Sequence, residues 1–175
     1  PAAAAAQAGP AASRPDVPKP AVLIIEDDAA VRDALDLVLT LEGYPTRVAD
    51  SPAAALEIFA DHGNEIDVVV SDFHLGPGKN GLELLDRIRE DAELHDSNAF
   101  MLTTSNDEED KIEAFNLNVA GYMLKSDIGQ SFVKAVELID NYWRVMEFPC
   151  ELSGRATATS ARRGSVVNAD SRGML

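Results

Sequence analysis

The stretch Ile66-Asp67-Val68-Val69-Val70-Ser71-Asp72 constrains this chain more than any other. Three consecutive valines ahead of a lone Asp read as a strand buried on both faces, the kind that parallel sheets contain. Phe73-His74-Leu75-Gly76-Pro77-Gly78-Lys79-Asn80-Gly81 follows, and its Gly-Pro-Gly and Asn-Gly turn the strand into a loop. Asp72 is thereby placed at the carboxyl end of a central strand, where open α/β sheets put their ligand sites. A carboxylate there is costly to bury unless something compensates it. The compensators must come from elsewhere in the chain.

Periodicity and breakers supply the other elements. Val22-Leu23-Ile24-Ile25 reads as the first strand, ending in Glu26-Asp27-Asp28. A helix is expected from about Ala29 to Glu42, with Val31, Leu35, Val38 and Leu39 inward and Gly43 as its stop. A short strand covers about Thr46 to Ala49. Ser51-Pro52 opens a second helix, Ser as cap and Pro at the first helical position, with Ala55, Leu56 and Phe59 inward. A third helix is expected from about Gly81 to Arg89. Ala99-Phe100-Met101-Leu102 is the fourth strand, ending in Thr103-Thr104-Ser105, and a fourth helix is expected from Ser105 or Asn106. Its first turn carries Asp107, Glu108, Glu109 and Asp110, where the helix dipole favours negative charge. Gly121-Tyr122-Met123-Leu124 is the fifth strand, ending at Lys125, and a last helix is expected from about Ile128 to Glu147. Five strands alternating with five helices give a parallel sheet covered on both faces.

Residues 1–20 are mostly Ala and Pro, and 151–175 are mostly small, polar or Arg, so both are expected to be disordered tails around one domain at 21–150. Net charge is −15, which argues against a nucleic-acid-binding surface. Residues 21–150 hold 27 acids and 9 bases, a net of −18, so the tails carry the positive remainder. The lone Cys150 leaves no internal disulfide framework and fits a reducing compartment. No apolar run approaches the roughly 20 residues that span a bilayer, and no signal-peptide pattern is visible, so a cytoplasmic location is expected.

In such a sheet the carboxyl strand ends share one edge, and that edge collects Glu26, Asp27, Asp72, Thr103 and Lys125. Carboxylates in one pocket raise each other's pKa unless a cation joins them. Hard oxygen ligands with room for water suit Mg²⁺. Lys125 adds a fixed positive charge, and the Thr103 hydroxyl can bond an oxygen of a bound group. Together these make a site for a phosphoryl group beside a nucleophilic carboxylate.

With those residues in place, the chain from about Ala21 to Glu147 resembles the receiver domains of two-component response regulators. The resemblance rests on the pair Glu26-Asp27, on Asp72, on Thr103 followed by a second Thr, on Tyr122 and on Lys125, each at the strand end the family requires. Phe132-Val133-Lys134-Ala135-Val136 with Tyr142-Trp143 is further similar to the single-domain regulators paired with bacterial phytochrome kinases. The resemblance implies a flavodoxin-like sheet of strand order 2-1-3-4-5. It also implies that Asp72 accepts a phosphoryl group from a histidine kinase. Mg²⁺ would be held by Asp27 and Asp72 directly, by Glu26 through water and by the main-chain carbonyl of His74. Lys125 would bridge carboxylate and phosphoryl oxygen, and Thr103 with Tyr122 would be the switch pair. Two departures stand out. The loop from Asp72 to Gly81 is one residue longer than the common pattern, and Ser126 follows Lys125 where the family usually has Pro. A cis bond before Ser would cost roughly 2.5–4 kcal/mol, so a trans bond and a differently shaped loop are expected.

Plainer readings compete at several positions. Asp28 reads as a helix cap, and Tyr122 as an alternative core aromatic. A degenerate receiver that binds without phosphorylation is disfavoured by the complete Glu26, Asp27, Asp72, Thr103 and Lys125 set. An aspartyl-phosphate phosphatase, an enzyme proper, is disfavoured because His74 stands where such enzymes place a second acid. On the last helix Phe132, Val136, Ile139, Trp143 and Met146 form one stripe toward the sheet. Val133, Leu138, Tyr142 and Val145 then remain largely outside it, and with the fourth helix they are expected to form a partner surface, most simply that of a homodimer.

Overall fold

A computed structural model of the protein describes residues 18–76, 80–91, 94–128 and 132–146, with the backbone alone at 127 and 128. Residues 1–17 and 147–175 lie outside the described residues, and with them most of the leading tail, all of the trailing one and the last four residues of the domain expected at 21–150. The elements run β1 (Val22–Ile25), α1 (Ala29–Leu41), β2 (Thr46–Ala49), α2 (Pro52–His62), β3 (Val68–Asp72), α3 (Gly81–Glu90), β4 (Asn98–Thr103), α4 (Glu108–Asn116), β5 (Gly121–Leu124), a single turn α5 (Lys125–Ile128) and α6 (Val133–Val145). A 3-10 turn at Gly63–Glu65 follows α2.

All five strands are parallel and the sheet order is β2-β1-β3-β4-β5, the flavodoxin-like doubly wound arrangement. The pleat sends alternate residues to opposite faces. Leu23, Ile25, Val69 and Met101 enter one apolar core with Ala55, Phe59, Leu82, Leu85 and Ile88 of α2 and α3. Val22, Ile24, Val68, Val70, Phe100 and Leu102 enter the other with Leu35 and Leu39 of α1 and Val136 and Ile139 of α6. Every residue of β1 and β3 is buried, which is why β1 and residues 68–70 of β3 read as unbroken apolar runs.

Local signals set most boundaries. Asp28 caps α1 by accepting from the amides of Ala30 and Val31, and Gly43 leaves that helix at φ +83°, a conformation that costs glycine nothing. Ser51 caps α2 with Pro52 in its first turn. The helices that pack on β5 depart from expectation. Helix α4 starts at Glu108, because Asp107 is its cap and Ser105 is bonded elsewhere. The last helix starts at Val133 after the separate turn α5, and Phe132 enters it at φ +51°.

Three side-chain placements also correct the sequence reading. Tyr142 is half-buried: its hydroxyl donates to Asn98 Oδ1 at 2.9 Å and its ring meets Phe100 edge-on at 5.2 Å. Met146, expected in the inward stripe, is exposed just past the end of α6. Pro18, Lys19 and Pro20, assigned from sequence to the leading tail, pack on the domain. The Pro18 carbonyl accepts from Trp143 Nε1 at 3.3 Å, Lys19 Nζ reaches Asp140 at 3.4 Å and stands 4.2 Å from the Tyr44 ring centroid, and Pro20 is buried.

Candidate functional site

The site forms where strands end and their ladders run one residue further. Glu26 N donates to Ala49 O at 3.0 Å, which holds Glu26 at the rim of β1, and Arg32 of α1 donates to the Glu26 carbonyl at 3.0 Å. Asp28 N reaches Glu26 Oε1 at 3.3 Å. Glu26 is only 1% exposed, although nothing in its sequence context marks it as more buried than Asp27 or Asp28. Asp72 pairs in register with Leu102, and Phe73 N continues the ladder to Leu102 O at 3.0 Å. Gly81 N then donates to Phe73 O at 2.8 Å, folding the loop back on the strand. A Cβ at position 81 would lie 2.2 Å from the Asp72 main-chain oxygen. Gly81 is therefore a steric condition on the backbone of Asp72, whereas the sequence marked it only as a turn residue.

One oxygen from each of Glu26, Asp27 and Asp72 lies within 4.8 Å of the others. Lys125 Nζ sits 2.8 Å from Glu26 Oε2 and 2.9 Å from Asp72 Oδ2. The Glu26 contact is an ion pair without hydrogen-bond alignment, which leaves that buried oxygen short of a directed donor. Burial pushes the Glu26 carboxyl up to about 7, the Asp72 charge adds to the rise, and Lys125 opposes it. Burial works to lower the Lys125 pKa, but its close contacts with the Glu26 and Asp72 carboxylates outweigh it and the net direction is upward. One ammonium thus faces three carboxylates. The surplus of charge, the all-oxygen donor set and the exposed rim at Asp27 fit a hard divalent cation that keeps part of its water.

Beside this cluster, Thr103 closes β4 with no exposure, and its Oγ1 accepts from Ser105 N at 3.0 Å. Tyr122 on β5 donates from its hydroxyl to Ser105 O at 3.2 Å. Burial raises the Tyr122 phenol pKa. The two residues expected to work as a pair are thus joined through Ser105. His74 is exposed, its ring tilted against Phe73 at 4.8 Å, and its backbone forms an isolated antiparallel bridge with Asn80 that spans the lengthened loop. Arg32 was not singled out from sequence, because its partner is a main-chain carbonyl that no residue pattern reveals.

The sequence model of the response regulator receiver domain matches residues 22–137. The aerobic respiration control protein ArcA of Escherichia coli K12 is 35% identical over 107 residues, 61% of this chain and 42% of its own. The chain thus spans less than half the length of that relative. Among solved structures, the Mn(2+)-bound form of response regulator Rcp1 is 25% identical with a TM-score of 0.62, over 74% of this chain and 99% of its own. The phosphorylated cyanobacterial phytochrome response regulator RcpA resembles it in fold, at 22% identity and a TM-score of 0.64, over 75% of this chain and 98% of its own.

Proposed function

The chain belongs to the response regulator receiver family, and from that premise we propose that Asp72 accepts a phosphoryl group from a histidine kinase. The observation that supports this most is the pair of buried carboxylates, Glu26 and Asp72, sharing one ammonium at 2.8 and 2.9 Å. An Asp72 oxygen attacks phosphorus, the bond to the donor's imidazole nitrogen breaks, and an acyl phosphate forms. Asp27, Asp72 and the main-chain carbonyl of His74 would hold Mg²⁺, with Glu26 reaching it through water, and the ion would supply charge neutralisation for the transferring group. Lys125 keeps its contact with the modified side chain and balances the added charge. The Thr103 hydroxyl turns to a phosphoryl oxygen, and Tyr122 follows through Ser105. Asp72 is a stoichiometric acceptor in this scheme, so the domain is a signalling module rather than an enzyme acting on a separate substrate.

The signal is read on the face of α4 and α6, which exposes Ile112, Phe115, Val133, Leu138 and Val145. Its simplest occupant is a second copy of the chain. The described region is strongly acidic and has no helix long and apolar enough to cross a membrane, and neither nucleic acid nor a membrane is assigned as a partner.

Acetyl phosphate with Mg²⁺ should label the wild type with acid-labile, hydroxylamine-sensitive phosphate, and Asp72→Asn should remove the label. Equal labelling of Asp72→Asn would refute the assignment. Light scattering with beryllofluoride should show wild-type dimers that a Leu138→Glu, Val145→Glu variant cannot form. A wild type that stays monomeric in both states would leave a different protein as the occupant.

A further inference from the structure

Ser105 is bonded through every one of its polar atoms, and the bonds reach three different elements. Its amide donates to Thr103 Oγ1 at 3.0 Å, and its carbonyl accepts the Tyr122 hydroxyl at 3.2 Å. Its hydroxyl accepts from Asp107 N at 3.2 Å and donates to Asp110 Oδ2 at 2.6 Å. Thr103 is the last residue of β4, Tyr122 lies on β5, and Asp110 is fixed in the first turn of α4. The bond to Asp110 is the short, charge-assisted one of the four.

We propose that Asp110 is a positioning residue for the Thr103–Tyr122 pair, acting through Ser105. The inference rests on the reading of Asp72 as phosphoryl acceptor, because only then do Thr103 and Tyr122 have a state to report. Thr103 cannot turn its hydroxyl without loosening the Ser105 amide. That amide belongs to a residue whose side chain is anchored to Asp110 of α4 at 2.6 Å and by a longer bond to the Asp107 amide at the helix cap. Asp110 therefore links the strand-end hydroxyl, the aromatic ring and the first turn of the helix that borders the partner face. An acid in a first helical turn also has a plain role in offsetting the helix dipole. In that role Asp110 would be interchangeable with Glu108 or Glu109, which share the turn. Helix capping itself belongs to Asp107, whose side chain accepts from Glu109 N.

The two roles separate in the resting protein. Amide exchange at Ser105 and the ¹⁹F signal of fluorotyrosine at Tyr122, assigned with Tyr122→Phe, would be followed in the full chain. Asp110→Ala should speed Ser105 exchange by about tenfold, the size expected for losing one charge-assisted hydrogen bond. It should also move the Tyr122 signal. Asp110→Asn, which keeps an acceptor oxygen, should restore both, and Glu109→Ala should change neither. With beryllofluoride and Mg²⁺, Asp110→Ala should still bind the analogue while its Tyr122 response falls below half that of the wild type. Wild-type Ser105 exchange and Tyr122 signal in Asp110→Ala, or equal changes in Glu109→Ala, would overturn the proposal. A wild type that fails to bind beryllofluoride would sink the acceptor reading instead, and the resting-state readouts would still decide the role of Asp110.

Discussion

At the amino end of the sheet Arg89 donates to four main-chain carbonyls, whereas at the carboxyl end one ammonium, Lys125, faces two buried carboxylates and a third at the rim. The amino end is otherwise matched as well. Tyr142 donates to Asn98, and Asp67 accepts from the Ala21 amide at 2.8 Å. A cavity of about 690 Å³ opens there beside Arg89, Asn98 and Tyr142, yet these groups already have protein partners. The acidic end carries a surplus of like charge instead. Polar groups at one end are spent on holding chain segments together. At the other they are left short of partners, and that shortage is what a cation and a phosphoryl group can relieve.

The largest expected difference between the ends is a pH dependence that only the acidic end produces. Glu26 is raised from 4.5 to about 7 in the folded protein, so the fold retains a proton that the unfolded chain releases. Its contribution to stability is therefore greatest below about pH 4.5 and is lost as pH rises toward about 7. The full loss is on the order of 3 kcal/mol. Urea unfolding with a chelator at pH 5 and pH 7.5 should show the wild type losing more stability than Glu26→Gln across that interval. Parallel behaviour of the two proteins would mean that Glu26 carries no unresolved charge.

A second expectation concerns how tightly backbone packing and chemistry are tied at the acidic end. In Gly81→Ala the new methyl group would have to displace the Asp72 main chain, since 2.2 Å is no possible separation. Overpacking of this kind costs roughly 1–3 kcal/mol. Because the atom displaced belongs to Asp72, labelling by acetyl phosphate should slow as well. A variant with wild-type stability and labelling would show that the loop simply moves aside.

What could be read from the sequence was what depends on neighbours in the chain. The apolar runs of β1 and β3, the caps Asp28 and Ser51 and the stop at Gly43 are local, and so they gave the strand ends at which Glu26, Asp27, Asp72, Thr103 and Lys125 meet. What escaped depends on partners far away. Tyr142 looked like an outward residue because the sequence cannot show Asn98, 44 positions earlier, waiting for its hydroxyl. Pro18 to Pro20 looked like tail because their partners, Tyr44, Asp140 and Trp143, are distant in sequence. Ser105 looked like a helix start, but Thr103 and Asp110 bind its polar atoms first. Gly81 looked like a turn, and the close approach that requires it is visible only in three dimensions.

The smallest expected effect tests whether the amino end is structural alone. Arg89 received no role from sequence, since its partners, the carbonyls of His95, Ser97, Leu117 and Asn118, are indistinguishable there from any others. Burial pulls its pKa down, with Asp96 opposing that drop. A guanidinium stays charged in a protein regardless, so here it serves as a cationic clamp between the turn before β4 and the carbonyl end of α4. Arg89→Ala strips donors from several carbonyls at once, but water can reach those nearest the surface and replace part of what is lost. The cost should therefore be about 2 kcal/mol, below the sum of four separate bonds. Labelling at Asp72, at the opposite end of the same strands, should keep its wild-type rate in the folded fraction. Arg89→Lys should recover little, because a single ammonium cannot span four acceptors in the plane of a guanidinium. If Arg89→Ala slowed labelling as much as it lowered stability, the two ends would be coupled through β4 and α4, and the division between a structural end and a chemical end would fail.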